Sequence, residues 1–149
     1  MARATFRDPG LGQLTWAATG WRFSFALTRR RSGRATIIAQ APEPKPAANC
    51  LAAVSRYVRW FRRNDSALRS HITKAMYRGW RSNWDDPKED STCTPVGFQR
   101  KLNLAGINFY WDDDWVSVVY NDGGLFGGHG IELSTDLNGK ITGKPSMFG

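Results

Sequence analysis

Apolar and polar residues alternate through the first forty positions. Leu11, Leu14 and Trp16 follow an Asp8-Pro9-Gly10 turn, and Trp21, Phe23, Phe25 and Leu27 then put four apolar side chains on one face of a period-2 ribbon. That is the spacing of half-buried strands. The tract Arg29-Arg30-Arg31-Ser32-Gly33-Arg34 predicts a turn, because like charges repel and Ser-Gly interrupts regular structure; Ala35–Ala39 closes the hairpin. Pro42, Pro44 and Pro46 make a stiff connector.

The period then changes. From Ala47 to Arg63, Leu51, Val54, Val58 and Phe61 recur at helical spacing, with Asn64 as a predicted end. Asp65 or Ser66 can cap a second helix lined by Leu68, Ile72, Met76 and Trp80. An irregular acidic segment, Asp85–Asp90, follows, and Thr94-Pro95 opens a short third helix carrying Phe98 and Leu102. The remainder predicts strands: Leu104–Tyr110 and Trp115–Tyr120 around an Asp112-Asp113-Asp114 loop, then His129–Ser134. Asn121-Asp122-Gly123-Gly124 and Asn138-Gly139, the latter before Lys140–Thr142, are turn signals. Strands, helices, strands predicts an α+β fold: a mainly antiparallel sheet from the N- and C-terminal strands, with two to three central helices packed on one face. A chain of 149 residues suits one domain, spanning 1–149.

Composition adds limits. No apolar run approaches the roughly 20 residues of a membrane-spanning helix, and Met1–Asp8 lacks the apolar run of a signal peptide, so a cytoplasmic protein with no membrane partner is expected. Cys50 and Cys93 are too few for a disulfide scaffold and lack metal-ligand spacing, and are expected to be free thiols. The net charge of +8 is divided: residues 1–101 carry +12 and residues 102–149 carry −4. Arg29, Arg30, Arg31, Arg34, Arg56, Arg59, Arg62 and Arg63 could contact phosphates, yet no recognised nucleic-acid module accompanies them. Solvated arginines on outer helix faces are the plainer account, so nucleic acid is not the expected partner.

Catalytic chemistry is hard to assemble. His71 sits mid-helix beside Ile72. His129 lies near Asp122 and Glu132, three groups able in principle to hold a metal or move a proton, but without a metal-ligand spacing. A His129 that hydrogen-bonds across the turn is favoured, with Gly123, Gly124 and Gly128 allowing a tight loop and Leu125 and Phe126 tucked inward. The expectation is no catalytic residue, no metal, no cofactor and no small-molecule substrate. The acidic tip Asp112, Asp113 and Asp114, flanked by Trp111 and Trp115, couples charge to aromatic anchors as interface hot spots do. With Asp122 it forms the expected partner-binding set.

The strings Leu102–Tyr110 and Val119-Tyr120-Asn121-Asp122-Gly123-Gly124-Leu125-Phe126-Gly127-Gly128-His129-Gly130-Ile131 resemble bacterial domains of the DUF2262 and DUF6985 type, and Asp8–Trp16 is similar to the start of those domains. Gly124 stands where such domains usually carry an acid and Gly127 where they carry Trp. The resemblance implies an immunity protein that binds and neutralises a cognate toxin domain, not an enzyme; the alternative is a nucleic-acid-binding or regulatory protein using the arginine-rich surface.

Overall fold

The computed structural model describes residues 5–8, 12–17, 20–25, 35–40, 48–84, 93–110 and 113–149. The predicted turn at 29–34, the proline connector and the acidic segment at 85–90 lie outside them. The N-terminal alternation becomes β1 (Thr5–Asp8), β2 (Gly12–Ala17), β3 (Gly20–Phe25) and β4 (Ala35–Gln40), joined in consecutive antiparallel pairs. Helices α1 (Ala48–Asn83) and α2 (Pro95–Lys101) then return the chain to β5 (Asn103–Tyr110), which lies parallel to β4. β6 (Trp115–Asn121), β7 (Gly130–Thr135) and β8 (Ser146–Phe148) extend the sheet by antiparallel pairing. The eight strands lie in chain order, so the fold is mixed α and β with a mainly antiparallel sheet. A parallel pair needs a long crossover, and here both helices supply it.

The core lies between α1 and the inner face of β5–β7. Ile107 and Phe109 meet Val118 and Val116 in register, and these meet Leu133 and Thr135. All are buried beneath Val54, Tyr57, Val58, Phe61, Leu68, Ile72 and Trp80 of α1, with Leu14 of β2 in the same cluster. Phe98 and Leu102 close one end. α2 begins as its sequence predicts: the Thr94 hydroxyl accepts the Gly97 amide at 3.1 Å and Pro95 takes the first turn.

The two helices expected either side of Asn64 are one helix of 36 residues. The polar residues that suggested a break are satisfied without one. The Asn64 amide donates back to the Trp60 carbonyl at 2.7 Å. Asp65, 7 % exposed, accepts the Tyr120 hydroxyl at 2.8 Å and Arg69 Nε at 3.1 Å. Burial and the Asp65 charge hold the Tyr120 phenol above its ordinary range, so it remains a donor. An aspartate expected to cap a helix instead ties its middle to the sheet. Two strand predictions also shift: Lys140–Thr142 contributes only an isolated bridge, Thr135 to Ile141, and the last strand is β8, which had no clear signal.

Candidate functional site

Two structures stand out at the C-terminal half: the β5–β6 tip and the loop joining β6 to β7. At the tip, Tyr110 pairs with Trp115 across the antiparallel ladder, and their rings stack with centroids 4.3 Å apart. Asp113 and Asp114 are exposed. Asp114 has φ 48°, a conformation Asp tolerates better than most residues. Its Oδ1 accepts the Leu137 amide at 3.0 Å, fastening the tip to the turn after β7. That turn is itself held by Asp136, whose Oδ1 accepts the amides of Asn138 at 2.8 Å and Lys140 at 2.9 Å. Trp111 and Asp112 lie outside the described residues.

The β6–β7 loop is organised around one carboxylate. Asp122 Oδ1 accepts the Gly124 amide at 2.9 Å, while Oδ2 accepts those of Phe126 at 2.9 Å and of Gly128 and His129 at 3.0 Å. Burial alone would raise its pKa; the four amides outweigh burial and hold the carboxyl below its ordinary range. Gly123, Gly124, Gly127 and Gly128 all have positive φ, which lets the backbone curl round the acid. Leu125 and Phe126 turn inward, as expected, and Trp80 Nε1 donates to the Leu125 carbonyl at 2.8 Å. His129 Nδ1 hydrogen-bonds the Phe126 carbonyl, the turn-bridging contact expected of it, and its ring meets the edge of Trp84 at 5.8 Å.

Of the expected contact set, Asp122 is therefore placed inside the loop, 3 % exposed, with both oxygens facing amides. The structure does not bring Asp122, His129 and Glu132 together as a donor set: Glu132 lies between core-facing Ile131 and Leu133, on the other face of β7. Among the described residues no group of three His, Cys, Asp or Glu is disposed to hold a metal. Sequence reasoning placed Trp80 on the inner helix stripe without linking it to this loop, and missed Tyr110, Trp84 and Asp136 as parts of the site. Only Asp136 carried a local signal, an Asp two residues before Asn138-Gly139.

Residues 12–144 match the family described as an uncharacterized protein conserved in bacteria, DUF2262. The chain belongs to that family. The DUF2262 match takes in the structure from β2 to beyond β7, including the tip and the Asp122 loop, and leaves β1 and β8 outside. No curated protein matches, and no solved structure does. Among the described residues no helix is long and apolar enough to cross a membrane.

Proposed function

We propose that this DUF2262 chain is an immunity protein that neutralises a cognate toxin domain by protein–protein docking, with the β5–β6 tip as part of its contact surface. The observation that supports this reading is the described part of the tip, Tyr110, Asp113, Asp114 and Trp115. Asp113 and Asp114 are exposed beside a stacked Tyr110–Trp115 pair, and the Leu137 amide anchors the Asp114 carboxylate. Asp114, already held by the Leu137 amide, loses little conformational entropy on docking. Its charge steers a basic partner, and aromatic anchors supply contact area. A toxin that acts on nucleic acid presents the kind of basic cleft an acidic tip can occupy.

The experiment is co-expression of the chain with the product of the adjacent gene, tested for toxicity on its own, followed by association kinetics on the purified pair. Growth should be rescued, and the association rate should fall with salt. The double variant Asp113→Asn, Asp114→Asn should slow association and flatten that salt dependence. Failure of the chain to bind or protect against the neighbouring toxin refutes the immunity reading. Unchanged kinetics in the variant removes the tip from the interface.

A further inference from the structure

Joining two expected helices into one aligns residues that the sequence reading kept apart. On a single α-helix, at about 100° per residue, Arg56, Arg59, Arg63, Lys74 and Arg78 fall within an arc of about 100°. All five are exposed, on the side opposite the buried Val54, Phe61, Leu68 and Ile72. The stripe runs about 33 Å along the axis, from the rise per residue. Asp65 is the sole carboxylate in α1, and it faces the core, bonded to Tyr120 and Arg69. A solvated helix face commonly interleaves acids with bases to form favourable pairs three or four residues apart. This face instead sets Arg59 against Arg63 and Lys74 against Arg78, each four residues apart, which opposes helix formation. Repulsion of this kind is relieved when a polyanion lies along the stripe.

We propose that the outward face of α1 docks the phosphate backbone of duplex DNA through Arg56, Arg59, Arg63, Lys74 and Arg78. Four of the five are arginines, whose planar fork matches phosphate oxygens. Arg63 and Lys74 are separated by about 16 Å along the axis, enough to straddle the roughly 12 Å major groove of B-form DNA. Between them the same arc carries only small side chains, Ala67 and Ser70, so the helix can approach closely. A membrane surface fits less well, because interfacial helices bury an apolar face in lipid and the apolar face of α1 is already in the core. Every contact in this arrangement is to backbone, so binding is independent of base sequence. It rests on α1 alone and stands or falls separately from the immunity reading.

Fluorescence anisotropy of the full chain with a labelled duplex of about 30 base pairs, titrated from about 50 to 200 mM salt, tests the idea. Scrambled duplexes should bind equally, with a log–log salt slope of about −4.5 for five phosphates engaged. Arg59→Gln, Arg63→Gln and Arg78→Gln should each lower the slope by about one and weaken binding several-fold at about 100 mM salt, with circular dichroism unchanged. Asp113→Asn should leave DNA affinity intact. No binding at about 50 mM salt, or variants that bind like the parent chain, would overturn the proposal. So would displacement of DNA by polyglutamate of equal charge, which would mark the face as a site for an acidic protein, or tighter binding to duplex RNA or single strands.

Discussion

Asp122→Asn isolates the contribution of one buried charge to the β6–β7 loop. The asparagine oxygen can take the place of Oδ2 and keep the amides of Phe126, Gly128 and His129, but its NH2 group then faces the Gly124 amide, donor to donor. Hydrogen bonds to a charged acceptor contribute about 1 kcal/mol more than neutral ones, so the three weakened bonds alone total about 3 kcal/mol, before the lost fourth is added. For a chain of this size that lowers Tm by about 6–12 °C. The sign of the pH dependence follows from linkage. Because the folded carboxyl titrates below its ordinary value of 3.8, the unfolded chain binds more protons as pH falls. The stabilisation is full above the unfolded value and is lost as pH drops through the folded one. Urea unfolding of both proteins at pH 7 and at about pH 3 measures this: the gap between them should be large at neutral pH and shrink in acid. A gap below about 0.5 kcal/mol at pH 7, or one that persists undiminished in acid, refutes a role for the charge.

His129→Ala should lose the bond to the Phe126 carbonyl and the edge contact with Trp84, costing about 1–2 kcal/mol by urea unfolding, while any protection against a toxin survives in the folded fraction. Gly124→Ala, at φ 89° with open space around the new Cβ, should cost about 1 kcal/mol from backbone strain alone. Gly123→Ala should cost about 3 kcal/mol, because at φ 60° its Cβ would clash with the Lys101 carbonyl oxygen. Thermal melts that rank the two glycines equally would contradict this packing.

Legibility in the sequence tracked how local each determinant is. The N-terminal strands, the Thr94 cap and the inward turn of Leu125 and Phe126 depend on near neighbours, and the structure carries all of them. The uninterrupted α1 was not legible, because Asn64-Asp65-Ser66 has the local chemistry of an end and a start. What holds the helix through it is Tyr120, 55 residues away. β8 was hidden for a related reason: its three residues are all exposed, and its pairing with β7 leaves no buried periodicity to detect. Asp122 was visible as part of a turn signal, but its four-amide role depends on a backbone path that four positive-φ glycines create together.

The charge asymmetry between the two halves has two different physical origins, and that bears on which acids can steer a partner. Asp114, Asp122 and Asp136 accept backbone amides that no strand partner satisfies. Much of the negative charge of residues 102–149 therefore serves to close turns, whereas the cations of α1 other than Arg69 are exposed. At the tip the distinction separates neighbours. Asp114 is exposed yet bonded to Leu137, while Asp113 is exposed at the same turn, outside that link. Asp113→Asn alone should slow association with a basic toxin and leave Tm unchanged. Asp114→Asn should slow association and also lower stability by about 1 kcal/mol, through the weakened bond to Leu137. If Asp113→Asn leaves the association rate untouched while Asp114→Asn reduces both rate and Tm, the tip acts through its shape rather than its charge, and steering must come from elsewhere on the surface.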